Sequence, residues 1–278
     1  MEPALIKGGL AFFKAGQGVP LLLMPYPHGY TLRPIAESPL ANCLVGIDRQ
    51  VITFDPPGSY RSSRPARLDM AEMLQGAQET LETLQINDPV DLAGHSMGGL
   101  CALAFALEYP QRVRRLVLIG SVAGGPSIQR CKGMPWNWRW TEPDFWRFVV
   151  WGARLALGYG DLALHKRMVQ LIRRVSLHDK SLALEIPIEP EDHQRPAPAR
   201  DRWPLVARRL DYSHRLGAVH ATTLICVGRH DPQAPVPCSQ KLAQGIPEAR
   251  LVIFEASGHY PFLEEPELFN EELESFFQ

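Results

Sequence analysis

A serine at position 96 stands inside a Gly-x-Ser-x-Gly run, residues 94–98. A strand-like run, residues 89–93, precedes it, and an Ala- and Leu-rich run typical of a buried helix, residues 100–107, comes after it. Strand, sharp turn and helix is the context in which this motif presents a serine nucleophile. The two glycines fit because strand and helix nearly touch there. On the motif alone, an ordinary glycine-rich turn remains the alternative.

A serine hydroxyl becomes a useful nucleophile when a base lies within hydrogen-bond reach and an acid orients that base. Asp231 follows the strand-like run 224–228, and His259 follows the run 251–254. By itself, Asp231 before a proline also fits a turn, and His259 after a glycine also fits a surface loop. The order of the three residues, each placed after a strand, predicts a triad with Ser96 as nucleophile, Asp231 as acid and His259 as base.

The composition is that of a globular protein of 278 residues, with 45% hydrophobic and 21% charged residues and a net charge of −1. The length favours one large α/β domain with an insertion, and the charge gives no reason to expect nucleic acid as a partner. No apolar run is long enough for a membrane helix, and no signal peptide is apparent. Five scattered cysteines predict neither a disulfide framework nor a zinc site. We expect a cytoplasmic protein without metal or cofactor.

Strand and helix patterns alternate along both ends of the chain, which predicts a mostly parallel sheet covered by helices on both faces. Residues 1–123 and 221–278 are assigned to this core domain, and residues 124–220 to an inserted helical cap. The spacing of apolar residues predicts a hairpin at the edge of the sheet, over residues 4–15. It also predicts helices over residues 68–84, 143–157, 161–176 and 204–215. Residues 187–198 are proline-rich and predict a loop.

The motifs around the three candidate residues resemble those of the α/β-hydrolase fold superfamily, close to its esterase, proline iminopeptidase and C–C hydrolase branch. The matching runs are residues 94–99, 227–232 and 257–261 with the Glu-Glu-Pro at 264–266. Residues 55–62 resemble the Asp-x-x-Gly-x-Gly-x-Ser element of the family, except that Tyr60 replaces the second glycine. The resemblance spans both halves of the sheet but leaves the inserted region uncovered.

The resemblance implies an oxyanion hole built from two backbone N–H groups. One donor is expected at Met97, the residue after the nucleophile. The other follows the first buried strand, where the family has His-Gly-x-Pro and this chain reads Met-Pro-Tyr-Pro at residues 24–27. Counting from the end of the strand favours Tyr26 as this donor. The displaced His-Gly pair at 28–29 gives an alternative register, in which Tyr30 is the donor.

All six tryptophans lie in the inserted region. They either fill the core of that region or form the wall of an apolar substrate pocket, since aromatic side chains are common in ligand sites. The candidate pocket residues are Trp136, Trp138, Trp140, Trp146 and Tyr260.

Charge is unevenly distributed, because residues 126–220 hold 16 Lys/Arg and 10 Asp/Glu, whereas the rest of the chain has a net charge of −7. A solvated helical surface explains this, and so does a preference for anionic or neutral substrates. A proline iminopeptidase would need acidic groups to hold the substrate amine, for which Glu142, Glu185 and Glu189 are candidates.

The triad predicts a serine hydrolase that cleaves carboxylic esters with small to medium, largely apolar acyl groups by way of an acyl-enzyme on Ser96. The partners are then a small-molecule substrate and water. An iminopeptidase-like aminopeptidase using the same triad is the alternative, and a non-catalytic binding protein is a third. The oligomeric state is left open.

Overall fold

The computed structural model describes residues 5–28, 34–125, 127, 138–142, 144–185 and 197–278. Within them, eight strands form one sheet. The strands are β1 (Leu5–Lys7), β2 (Leu10–Ala15), β3 (Val19–Met24), β4 (Arg49–Phe54), β5 (Val90–His95), β6 (Val113–Ile119), β7 (Thr222–Gly228) and β8 (Ala249–Phe254).

The strand order is β1-β2-β4-β3-β5-β6-β7-β8. The first two strands pair antiparallel with their neighbours, as a hairpin at the edge, and the pairs from β4 to β8 are all parallel. The predicted mostly parallel sheet is therefore confirmed. Because parallel strands end at the same edge, the loops after β3, β5, β7 and β8 converge there, and these loops carry the candidate site residues.

Helices cover both faces of the sheet. They are α1 (Pro39–Gly46), α2 (Met70–Thr83), α3 (Met97–Glu108), α4 (Phe145–Ala156), α5 (Leu162–Ser176), α6 (Leu182–Glu185), α7 (Trp203–Ala207), α8 (Val236–Gly245), α9 (Pro261–Glu264) and α10 (Pro266–Phe277). Short 3₁₀ turns lie at Ile35–Glu37, Pro110–Arg112, Pro198–Arg202 and Leu216–Ala218.

The core has two layers because successive strand side chains point to opposite faces. In β3, Leu22 and Met24 pack in a layer with α2, α3 and α8, whereas Leu21 and Leu23 pack on the other side with α1 and α10. The apolar α3 lies deep in the first layer. It is the helix that comes after Ser96, so the candidate nucleophile is attached to one of the best-packed parts of the molecule.

The residues between β6 and β7 are largely helical where the structure describes them. Helices α4 and α5 pack on each other around a small apolar cluster of their own that includes Leu155, Leu164 and Met168. Trp203, in contrast, is fully buried in the main core. That residues 124–220 act as a cap over the site stays a prediction, and the proline-rich residues 187–196 lie outside the described part.

The predicted helix over residues 204–215 is wrong in its extent, because the helix ends at Ala207. Residues beyond it pair instead with the chain that leaves β6. Asp211 forms an isolated antiparallel bridge with Gly124, and the Tyr212 N–H donates to the carbonyl of Ala123 at 2.8 Å. These long-range bonds satisfy backbone groups that a longer helix would otherwise satisfy.

None of the helices in the described ranges is long and apolar enough to span a membrane.

Candidate active site

Ser96 occupies a sharp turn between β5 and α3. Its backbone angles are φ 54° and ψ −123°, a conformation that residues other than glycine rarely adopt. The Ser96 N–H donates to the carbonyl of Ile119 at 2.8 Å, and the Ser96 carbonyl accepts from the Ser121 hydroxyl at 3.0 Å. Ser96 remains partly exposed, whereas its neighbours on both sides are buried. The geometry is that of a strained turn whose serine is partly accessible to solvent.

The glycines around this turn are required by close backbone contacts. A Cβ on Gly94 would lie 2.4 Å from the Gly98 carbonyl oxygen, and one on Gly98 would lie 2.7 Å from the Met24 carbonyl oxygen. Both distances are shorter than a van der Waals contact with backbone permits. The first turn of α3 therefore lies directly against the end of β3.

His259 and Asp231 form the expected pair. His259 Nδ1 lies 2.8 Å from Asp231 Oδ2, and both side chains are buried. The other carboxylate oxygen of Asp231 accepts from the backbone N–H groups of Gln233 and Ala234, at 2.7 and 2.9 Å. Three donors thus hold the carboxylate in place beside the imidazole.

Two contacts bring this pair next to the serine turn. The ring of His95, the residue before Ser96, lies 4.6 Å from the ring of His259 between centroids. Gly120 directly succeeds β6, the strand that pairs with β5, and a Cβ there would lie 3.1 Å from His259 Nδ1 and 3.2 Å from Asp231 Oδ2. The three candidate residues, which are far apart along the chain, are therefore grouped at one edge of the sheet.

The end of α5 supports the loop that carries the candidate base. The His259 N–H donates to the Ser176 carbonyl at 2.8 Å. The Gln233 side-chain amide donates to the Ser176 hydroxyl at 2.5 Å. Ser176, at the last position of α5, thus contacts the loop of the acid and the loop of the base.

The two predicted oxyanion-hole donors, Met97 and Tyr26, lie on segments that are next to each other. Met97 is the first residue of α3, so its N–H is among the four that have no partner within a helix. The contact between Gly98 and the end of β3 puts the loop that contains Tyr26 beside this turn. The Tyr26 hydroxyl lies 2.6 Å from His95 Nδ1. Both donors stay predictions, and the alternative donor Tyr30 lies outside the described residues.

Aromatic and histidine side chains surround the site. His28 stacks on Tyr26 with 5.4 Å between centroids, and Tyr260 lies 5.2 Å from the His259 ring. Burial lowers the pKa of His28 to about 4, helped by the nearby His259 and by His165 of α5. Burial raises the pKa of Tyr260 to about 12, against the opposing effect of Arg173, also on α5. His28 and Tyr260 are therefore neutral near pH 7, and the cationic side chain of Arg173 lies near Tyr260.

The predicted pocket tryptophans are placed differently from Tyr260. Trp140 and Trp146 are 70% and 59% exposed, so most of their surface is in solvent. Trp138 packs against Phe148 of α4 at 5.9 Å, within the small cluster of the inserted region. Trp136 lies outside the described residues. A pocket role for these tryptophans stays a prediction, whereas Tyr260 lies directly beside the candidate base.

Two residues of the site were missed by sequence reasoning. His95 and Ser176 contact the candidate base, but neither residue type at its position signals a partner far away in the chain. The unusual backbone at Tyr60, in contrast, was indicated by the sequence. Tyr60, which replaces a glycine of the resembled element, has φ 51°, so the backbone keeps the left-handed conformation that glycine favours.

Known proteins resemble the chain over most of its length. The family model described as alpha/beta hydrolase fold matches residues 27–266. A 2-hydroxy-6-oxononadienedioate/2-hydroxy-6-oxononatrienedioate hydrolase of Paraburkholderia phymatum is 32% identical over 241 residues, 82% of this chain and 76% of that protein. A 2-hydroxymuconate semialdehyde hydrolase of Pseudomonas putida is 30% identical over 274 residues, 94% of this chain and 88% of that protein.

Among solved structures, an alpha/beta fold family hydrolase from Bacillus anthracis str. Sterne superimposes with a TM-score of 0.80 at 24% identity, covering 96% of this chain and 94% of that one. The family match spans strands β4 to β8 and the loops that hold the candidate triad. The chain therefore belongs to the α/β-hydrolase fold family.

Proposed function

We propose that the protein hydrolyses small carboxylic esters through an acyl-enzyme on Ser96. The observation that supports this best is the strained, partly exposed Ser96 at one sheet edge with the His259–Asp231 pair, which contacts the residues beside the serine turn. Ester hydrolysis needs no group beyond a nucleophile, a base and donors for the oxyanion.

The proposed reaction has two steps. His259 takes the Ser96 proton as the hydroxyl oxygen bonds to the ester carbonyl, and the resulting oxyanion accepts from the Met97 and Tyr26 N–H groups. The C–O bond breaks when His259 gives the proton to the departing alkoxide. A water then gives a proton to His259 as its oxygen attacks the acyl group, and His259 passes that proton to Ser96 Oγ as the acyl–serine bond breaks, which releases the acid and restores the hydroxyl. Asp231 keeps Nδ1–H oriented throughout and stabilises the imidazolium.

The surroundings of the site favour a neutral or anionic substrate. Tyr26, Tyr260 and His28 give a largely aromatic lining, and Arg173 adds positive charge on the side of α5. A substrate ammonium group would need acidic partners, yet Glu142 is exposed. The side chains of Glu185 and Glu189 are not described. The relatives from Paraburkholderia phymatum and Pseudomonas putida give no support to the aminopeptidase alternative.

Cleavage of a C–C bond is the second candidate, and the names of the two relatives favour it. A 2-hydroxy-6-oxo dienoate presents a carbonyl that Ser96 can attack as it attacks an ester. The bond broken would then be the one between the carbonyl carbon and its neighbouring chain carbon, with the proton going to that carbon. The carboxylate of such a substrate is compatible with the positive charge of Arg173.

One substrate panel tests both candidates. Initial rates are measured on p-nitrophenyl acetate, p-nitrophenyl butyrate and 2-hydroxymuconate semialdehyde, with proline p-nitroanilide as the amine-bearing comparison. We expect ester turnover, and a Ser96→Ala variant should lose it by roughly 10⁶-fold in kcat. Turnover of the semialdehyde alone would establish the second candidate. No turnover of either class, with Ser96 unlabelled by a fluorophosphonate, would contradict both candidates and favour a non-catalytic binding protein.

A further inference from the structure

His95 is the last residue of β5, directly before Ser96, and is 1% exposed. Its ring makes two hydrogen bonds to distant parts of the chain. Nε2 lies 2.8 Å from the backbone carbonyl oxygen of His259, and Nδ1 lies 2.6 Å from the hydroxyl of Tyr26. A side chain attached to the strand of the nucleophile thus contacts both the base loop and the loop after β3.

These partners determine where the ring proton lies. A carbonyl oxygen only accepts, so Nε2 of His95 must carry a hydrogen. Burial, with His259 nearby, holds the pKa of His95 well below its usual value, so the ring is neutral and Nδ1 has no hydrogen. The Tyr26 hydroxyl therefore donates to Nδ1. Both bonds have a defined direction, and each fixes the orientation of its partner.

The ring packing supports the same role. The centroid of the His95 ring lies 4.6 Å from that of His259, 5.2 Å from Tyr260, 5.2 Å from Phe262 and 5.7 Å from Tyr26. The ring therefore fills the space between the two loops. A change in its position would move the His259 backbone and the Tyr26 side chain together.

We propose that His95 is a positioning residue that holds two loops in place relative to β5, the strand before Ser96. One is the loop after β3, where the Tyr26 hydroxyl donates to Nδ1 of His95. The other is the loop that carries His259, whose backbone carbonyl accepts from Nε2 of His95. The hydrogen bond from the Tyr26 hydroxyl to His95 holds Tyr26 in place and so determines the direction of its backbone N–H relative to that of Met97. The carbonyl bond sets the backbone of His259. This inference deepens the proposed function and rests on it, because it concerns the same site.

The kinetic test uses three substitutions. His95→Phe keeps a ring but removes both bonds, His95→Gln keeps a donor and an acceptor, and Tyr26→Phe removes the hydroxyl alone. We expect His95→Phe to lower kcat about 100-fold with little change in KM, since a displacement of about 1 Å has an effect of this size. His95→Gln should recover part of the loss, and Tyr26→Phe should lower kcat about tenfold.

Non-additivity separates this role from general packing. If the Tyr26 hydroxyl acts through His95, the double variant Tyr26→Phe/His95→Phe should be no slower than His95→Phe alone. Tyr109→Phe, at the far end of α3, is the matched control and should leave kcat and KM unchanged. Fully additive losses, or a His95→Phe variant as fast as the wild type while its Tm is unchanged, would overturn the proposal.

A second measurement does not depend on turnover. Nitrogen NMR of histidine-labelled Ser96→Ala protein at pH 7 should show a neutral His95 ring with its proton on Nε2, and Tyr26→Phe should shift the Nδ1 resonance. A cationic ring, or a proton on Nδ1, would contradict the proposal. If the wild type cleaves none of the substrates, the proposed function fails while this measurement still decides the role of His95.

Discussion

At the scale of single residues, the site depends on backbone positions where a side chain does not fit. Ser96 keeps a strained conformation because the turn is enclosed by Gly94, Gly98 and the end of β3. Strain of this kind costs on the order of 1–3 kcal/mol and persists only where the surroundings determine it. Gly94 and Gly98 thus matter because neither has a side chain to collide with the neighbouring backbone.

Gly98→Ala should damage both stability and activity. The new methyl group would lie 2.7 Å from the Met24 carbonyl oxygen, and this backbone contact leaves no flexible group to move. We expect a loss of about 1–3 kcal/mol in the free energy of unfolding, measured by urea titration, with a lower kcat because the Tyr26 and Met97 donors move apart. Gly46→Ala, at the end of α1 with open space around it, is the control and should be neutral or slightly stabilising. An unimpaired Gly98→Ala variant would show that this contact is not a constraint.

Asp55 should make stability depend on pH. It is buried after β4, accepts a hydrogen bond from the Arg61 N–H at 3.1 Å, and burial raises its pKa from 3.8 to about 7. The folded state therefore holds the Asp55 proton more tightly than the unfolded state. The contribution to stability is fully present below about pH 4 and is lost as the pH rises to about 7.

Asp55→Asn should remove this contribution, because an amide does not titrate. Unfolding free energies measured between pH 4 and 8 should decrease with pH less steeply in the variant than in the wild type. Asp88→Asn, at an exposed position, is the control and should keep the slope of the wild type. Parallel curves for the wild type and Asp55→Asn would disprove the assignment.

At the scale of elements, helix α5 reaches from the inserted region to the loops that carry the candidate acid and base. Its last residue, Ser176, accepts from the His259 N–H through its carbonyl and from the Gln233 amide through its hydroxyl. A Cβ added to Gly258 would contact the Ser176 carbonyl oxygen too closely, so the helix end and the base loop lie against each other. The position of α5 is thus coupled to the candidate base.

Gln233→Ala should lower kcat clearly and the thermal stability only slightly. The substitution removes the bond to Ser176 and loosens the loop that holds Asp231, so we expect a kcat about tenfold lower with a modest change in KM. The measurement is steady-state kinetics together with thermal unfolding. Gln170→Ala, on the exposed side of α5, is the matched control and should have no effect. A Gln233→Ala variant with normal kcat would show that α5 does not position the base.

At the scale of the whole molecule, the candidate site and a buried cluster of charged residues lie at opposite ends of β5. Ser96 comes after the carboxyl end of the strand, and the buried Asp91 lies near its start. Asp91 binds Arg49 at 3.2 Å and Arg114 at 2.7 Å. Arg49 also donates to the carbonyl of Phe277 at 3.1 Å, which connects this charge cluster to the end of α10.

Asp91→Ala should destabilise the fold and leave the chemistry of the folded protein unchanged. Removing the carboxylate leaves the largely buried Arg49 without its oppositely charged partner, which costs about 3–5 kcal/mol for a buried pair. The strand rise places Asp91 roughly 16 Å from Ser96. Chemical denaturation should show the lower free energy of unfolding, while kcat per folded molecule should equal that of the wild type. A large fall in kcat at full folding would contradict this separation.

Local rules were enough to predict the serine turn, the sheet and the acid–base pair from the amino-acid order. The Gly-x-Ser-x-Gly run identifies the turn because only small residues fit between a touching strand and helix, and alternating strand and helix patterns predict a parallel sheet. Since parallel strands end at one edge, the positions of Asp231 and His259 after later strands were also enough to predict the pair that the structure shows at 2.8 Å.

Contacts between distant segments, in contrast, are defined only by the folded arrangement. Tyr26 and His95 are 69 residues apart, and His95 and His259 are 164 apart, so neither bond leaves a periodic or composition signal in the sequence. The end of α7 at Ala207 was likewise set by long-range pairing, since the residues after it bond to the chain that leaves β6. Local sequence limits the conformations of a segment, but burial and hydrogen-bond partners depend on which other segments the fold places beside it.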